Sequence, residues 1–179
     1  ALLAYLLIEG PASRAEMAAL LWPEVDAARA RGNLRQRLRR LKATAGFDLL
    51  ADADPLRLRA DLAHDLDADG LALADRAGDA GAELLQGLDF ADVEGLHGWV
   101  LAARQRVGTA RRAALERNAT QLEAAGHVAA ALWQAQRLLE IDALDESAHR
   151  RVMRLHHARG DRAAALHAFQ RCKDLLKRE

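Results

Sequence analysis

Cys172 is the only cysteine, so no internal disulfide can form and a reducing cytoplasm is the expected compartment. Proline occurs only at positions 11, 23 and 55, which leaves long stretches free to run as uninterrupted helix. Aromatic side chains make up 4% of a chain that is 51% apolar, and alanine is abundant. That composition suits closely packed helices, not sheets. No apolar run reaches the roughly 20 residues of a membrane span, and no secretory signal opens the chain, so no membrane partner is expected. The signatures of catalysis are missing too. The sequence contains no Walker loop, dinucleotide fingerprint or nucleophile elbow, and neither enzymatic activity nor a cofactor is expected.

Residues that invite a metal or catalytic reading fail on spacing. Histidines stand at 64, 97, 127, 149, 156, 157 and 167; His149 and His156 share a helix face but lie too far apart to chelate one ion. Cys172, between Arg171 and Lys173, fits a core thiol better than a nucleophile. The stretch "DLDADGLALADRAG" opens like a calcium loop with Asp65, Asp67, Asp69 and Gly70, but Arg76 occupies the position where a bidentate glutamate is needed. An acidic helix start is the simpler reading.

What the sequence does have is sorted charge. Its 26 basic and 26 acidic side chains cancel in total. By segment they do not: residues 1–60 hold ten basic and seven acidic, 61–100 hold one and ten, and 101–179 hold fifteen and nine. At 179 residues the chain has room for one domain or two small ones, and the charge blocks favour two, joined by an acidic connector. "RARGNLRQRLRRLK", residues 29–42, has six arginines and a lysine and no acid. Helix faces usually mix signs because like charges at i,i+4 oppose the helix, so this segment points to an anionic partner.

The local signals place that segment third in a series of helices. "LLAYLLIEG" is a short helix stopped at Gly10-Pro11, and Ser13 with Glu16 has capping-box spacing for a second helix that Pro23 ends. Met17, Leu20 and Leu21 form the buried stripe of that helix. Asp26 caps the third helix, whose apolar positions are Ala27, Ala30, Leu34, Leu38 and Leu41. At about 100° per residue, Arg29, Asn33, Gln36 and Arg40 fall opposite the leucines, with Arg37 and Arg39 flanking them and Arg31, Arg35 and Lys42 nearer the buried edge. Arginine can bond guanine bidentately and a carboxamide can do so with adenine, so the far face suits base edges in duplex DNA. The surrounding arginines suit phosphates. A charged, solvated face is the plainer alternative.

After the third helix the period changes. In "FDLLADADPLRLRA" two apolar clusters flank the turn signal at Asp52–Pro55, and Leu56 and Leu58 alternate with Arg57 and Arg59. A hairpin behind three helices makes a winged helix with Arg57 and Arg59 on the wing. β structure is expected only near 47–60, with a domain boundary between 60 and 66. From about Asp92 to Ala125 the pattern is one long helix. Then "AAGHVAAALWQAQRLLEI" at 124–141 aligns with "ARGDRAAALHAFQRCKDL" at 158–175, pairing Gly126 with Gly160 and Arg137 with Arg171. The 34-residue offset is the tetratricopeptide (TPR) period, so helices near 113–125, 128–141, 145–158 and 161–177 are expected to stack in pairs. Trp22, Trp99 and Trp133 are expected to anchor helix packing.

This order of parts resembles a known family. "LLAYLLIEGPASRAEMAALLWPEVDAARARGNLRQRLRRLK" resembles the winged-helix segment of antibiotic-regulatory-protein (SARP) type bacterial activators. "ELLQGLDFADVEGLHGWVLAARQRV" and the repeats after it resemble their bacterial transcriptional activation domain (BTAD). The markers are Leu20-Leu21-Trp22-Pro23, Leu34, Leu38, Leu84-Leu85, Gly87, Trp99, Arg104 and Gly160-Asp161. The resemblance implies a mainly α chain with an OmpR-like winged helix-turn-helix and small β-hairpin wing at 1–60, then a TPR-like all-helical domain at 61–179. It further implies sequence-specific binding of double-stranded DNA, with the helical domain mediating homodimerisation or contact with RNA polymerase or another protein. Two departures are visible: the strands that normally precede the first helix are missing, as is the segment that usually follows the last, so the chain is expected to be a fragment of a longer polypeptide. The competing expectation is a TPR-like interaction or signalling module, within a larger regulatory chain, whose winged helix no longer reads DNA.

Overall fold

A computed structural model describes residues 1–51, 54–64 and 83–178, and the described residues are mainly helical. Seven helices appear among them: α1 Leu2–Ile8, α2 Arg14–Leu21, α3 Ala27–Ala45, α4 Glu94–Ala124, α5 Val128–Ile141, α6 Glu146–Ala158 and α7 Arg162–Leu176. They divide into two compact units, the described part of 1–64 with 83–106, and 107–178; the first part of α4 belongs to the former and the rest to the latter. None of the helices is long and apolar enough to cross a membrane.

The first unit starts as its capping residues dictate. Ser13 Oγ accepts from the Glu16 backbone N–H at 3.1 Å, while the Ser13 N–H donates to Glu16 Oε2 at 2.8 Å, closing the capping box of α2. Asp26 Oδ1 accepts from the N–H groups of Ala28 and Arg29 at 3.1 and 3.0 Å and starts α3. Met17, Ala30 and Leu34 are fully buried with Leu2, Leu6, Ala12, Ala18 and Leu56. Leu20, Leu21, Leu38 and Leu41 pack around that core, whereas Ala27, expected in the stripe, is exposed because it lies in the first turn beyond the packed surface. Leu56 is buried and Leu58 half-buried while Arg57 and Arg59 are exposed, so the alternation sorts as its period requires. Among the described residues the β structure consists of isolated antiparallel bridges, Leu50 with Leu58 and Ala12 with Leu56. The second lies partly outside the expected 47–60 stretch: Ala12, just before α2, exchanges both backbone hydrogen bonds with Leu56, at 3.0 and 2.8 Å.

Trp99 and two arginines on α4 complete this unit. The Glu9 carboxylate, just past α1, accepts from Trp99 Nε1 at 2.7 Å and from the Arg106 guanidinium, and the Tyr5 and Trp99 rings lie 5.1 Å apart. Arg106, and then Trp99, hold the Glu9 carboxyl below its ordinary range. Arg104 reaches back to the turn before α4, donating to the carbonyls of Leu84 at 2.9 Å and Leu85 at 3.1 Å. Leu85 sits at φ 54, a left-handed conformation that disfavours a side chain, and Arg104 offsets that cost by pairing carbonyls in the same turn.

In the second unit the repeat is written in backbone hydrogen bonds. Gly126 (φ 76) and Gly160 (φ 77) both adopt the left-handed conformation that ends a helix in a Schellman turn. His127 N–H donates to Leu122 C=O and Asp161 N–H to His156 C=O; Val128 donates to Gly126 and Arg162 to Gly160; Ala131 donates to His127 and Ala165 to Asp161. Each pair of bonds differs by the 34-residue offset of the two glycines. The helices between these turns fall where the sequence period placed them, giving a TPR-like array. Ala131 and Ala135 are wholly buried against Val152 and Leu155, so α5 and α6 approach closely over small side chains. Asp145 caps α6 through Ser147 and Ala148 and is bound by Arg112, 2.5 Å away. Burial would raise the Asp145 carboxyl, but the Ser147 hydroxyl, the Ala148 N–H and Arg112 outweigh it and hold the carboxyl low. Trp133 lies under the buried Arg137 guanidinium, 5.3 Å from the ring centre.

Two outcomes follow. Replacing Ala131 by leucine should lower the unfolding free energy by about 1–3 kcal/mol through overpacking, and Ala165→Leu, at a half-buried position, should cost clearly less; urea denaturation of both variants tests this. The Glu9 carboxyl is depressed in the folded state, so its contribution is complete above the ordinary glutamate range and is lost as pH falls through the depressed value. The Tm advantage of the native chain over Glu9→Gln, present at neutral pH, should therefore persist through the ordinary glutamate range and close only at more acid pH, as a Tm series against pH would show.

Candidate nucleic-acid interface

Helix α3 turns its leucines inward, which fixes what faces outward. Arg29, Gln36 and Arg40 are exposed, as are the flanking Arg37 and Arg39; Asn33 is half-buried, between the exposed face and the Leu34 side. Arg31 and Arg35, placed nearer the buried edge by the helical wheel, are also exposed, because their long stems carry the guanidinium past the core rim. Arg57 and Arg59 are exposed on the bridged segment that follows.

Tertiary packing adds a feature that helical spacing does not contain. Between α3 and the bridged residues lies a groove of about 690 Å3 into which Arg14, Arg35, Arg39, Lys42 and Arg59 project. Arg14 had no signal in the sequence. It is the first residue of α2, and only the packing of α2 beside α3 brings it to this groove.

The charges of this surface are unequal in availability. Lys42 is paired with Asp48 at 2.8 Å, and Arg59 with Asp61 at 2.5 Å, all four side chains being largely exposed. Arg59 holds the Asp61 carboxyl below its ordinary range. Arg29, Arg31, Arg35, Arg37, Arg39, Arg40 and Arg57 have no ion-pair partner among the described residues. The free charge is therefore concentrated on α3, with contributions from Arg14 and Arg57. Guanidinium forks beside a carboxamide can bond base edges and phosphates.

His149 is buried, with Nε2 2.9 Å from the Ala143 carbonyl oxygen, a structural use of the ring. Among the described residues no three His, Cys, Asp or Glu side chains gather as metal ligands. The Asp65–Arg76 stretch lies outside the described residues.

Residues 52–179 match the family model described as the bacterial transcriptional activator domain. No curated protein and no solved structure matches the chain.

The unpartnered arginines repel one another within the helix. Arg35 stands at i,i+4 from both Arg31 and Arg39, and each like pair costs about 0.2–0.5 kcal/mol. Arg35→Gln should therefore raise the unfolding free energy by roughly 0.5 kcal/mol in low salt, and the gain should vanish in molar salt as the charges are screened. Urea titrations at the two salt concentrations measure it.

Proposed function

Since the chain belongs to the bacterial transcriptional activator domain family over residues 52–179, we propose that it acts in a DNA-binding transcription regulator, an activator by family, and not in an enzyme. In this reading residues 1–60 are a partial, OmpR-like winged helix and 61–179 the TPR-like domain that mediates dimerisation or contact with RNA polymerase or another protein. The supporting observation is the face of α3, where exposed arginines without acidic partners surround Asn33 and Gln36. Helix α3 enters the major groove with Arg29, Asn33, Gln36 and Arg40 toward base edges. Arg37 and Arg39 meet the flanking phosphates, and Arg57 and Arg59 on the wing meet the backbone or minor groove. Arg14 and Arg35 join the phosphate-facing set through the groove they share with Arg39. Asp61 tempers Arg59, so Arg57 carries more of the wing's attraction.

The two classes of residue fail differently. Asn33→Ala or Gln36→Ala should relax discrimination at particular base pairs by about 1–3 kcal/mol each. Arg37→Ala, Arg57→Ala or Arg59→Ala should weaken binding to every duplex and flatten its salt dependence by roughly one unit of slope per lost phosphate contact. Affinities of the full-length regulator for DNA fragments selected from the genome, and for scrambled duplexes, measured across a salt series, decide it. A ratio untouched by Asn33→Ala and Gln36→Ala removes α3 as the reading head. Arginine variants with unchanged slope would hand the function to the TPR-like interaction module.

A further inference from the structure

The second unit has a concentration of positive charge of its own, set in a recess. Where the latter part of α4 meets α6, a groove of about 790 Å3 opens, bordered by Arg117, Arg150, Arg151 and Arg154. Two of these are fixed in place. Arg151 donates to the Glu116 carbonyl at 3.2 Å and to Thr120 Oγ1 at 3.0 Å, and Arg154 donates to both oxygens of Glu123 at 3.0 and 2.9 Å. Glu123 also lies 3.6 Å from Arg151, so one carboxylate serves two guanidinium groups. Glu116 lines the groove as well, but its carboxylate is bound to Arg112 at 3.2 Å. Arg117 and Arg150 are exposed and have no partner among the described residues. The groove therefore has shaped walls, a surplus of positive charge and two unused guanidinium forks. Thr120 and Ser147 add hydroxyls along it.

We infer that this groove is a docking site for an extended acidic segment of a partner protein, with Arg117 and Arg150 bonding its carboxylates. This rests on the proposed function only in treating the TPR-like unit as an interaction module, and names the chemistry of its partner. Shape favours a peptide over nucleic acid. Duplex DNA is read by an element that projects into its grooves, as α3 can, whereas the recessed faces of stacked helical hairpins receive extended chains. Arg151 and Arg154 line the recess, and their charge is already half spent on Glu123.

The probe is a fluorescein-labelled octaglutamate peptide, with octaglutamine as the neutral control, read by anisotropy on the full chain at one fixed ionic strength. Octaglutamate should bind and octaglutamine should not. The double variant Arg117→Ala/Arg150→Ala should weaken octaglutamate by roughly tenfold, two exposed charge contacts being removed. Arg37→Ala/Arg40→Ala on α3 should leave it unchanged within about twofold while losing DNA. All four positions are exposed, so both variants fold, which far-UV circular dichroism verifies. Three results overturn the inference: no binding of octaglutamate, equal loss from the α3 variant, or a groove variant that binds the peptide normally but loses duplex DNA. The first two leave the DNA reading of α3 standing, and the third extends the nucleic-acid surface to the second unit.

Discussion

Helix α3 stays helical because one side of it is buried. Seven basic side chains between Arg29 and Lys42, with no acid among them, work against the helix by a few tenths of a kcal/mol for each like pair. Burying Leu34 alone contributes about 2 kcal/mol, and Ala30, Leu38 and Leu41 add to it. Packing therefore outweighs repulsion, and Asp26 secures the end where the charge begins. The core under α3 draws on α1, α2 and Leu56 together, so the arginines are displayed only when all of these have assembled. Display of charge and formation of the first unit's core are one event.

What was legible in the sequence is what depends on near neighbours. The capping box at Ser13, the start of α3 at Asp26, the in-and-out sorting of Leu56 to Arg59 and the repeated turns at Gly126 and Gly160 all follow from residues within one or two turns of each other. What was not legible crosses the chain. Glu9 meets Trp99 and Arg106 some ninety residues later, Ala12 pairs with Leu56, and Arg14 reaches the groove beside α3. No local period encodes such meetings. Asn33 shows the same limit on a smaller scale, since the wheel gives its direction but not the height of the neighbours that half-cover it.

The repeat shows how far periodicity goes and where it stops. It equates Leu132 with Leu166 and Ala135 with Phe169, yet the first of each pair is buried while Leu166 and Phe169 are 68% and 52% exposed. A period tells which side of a helix is apolar, not whether another element lies on it. Arg137 and Arg171 divide in the same way: one is buried under the constraint of Trp133 and Glu140, the other is open to solvent. Matching residues thus share backbone roles more faithfully than side-chain environments.

The identical hydrogen bonding at Gly126 and Gly160 has a consequence for how such a chain can change in length. Cutting at one turn and rejoining at the other removes a whole hairpin and reproduces the same junction, bond for bond. A deletion inside a helix that does not close on whole turns rotates everything beyond it by about 100° per residue and carries its apolar stripe off the neighbouring helix. Growth and loss in this array are quantised. Duplication in whole units is the step its backbone admits without repair.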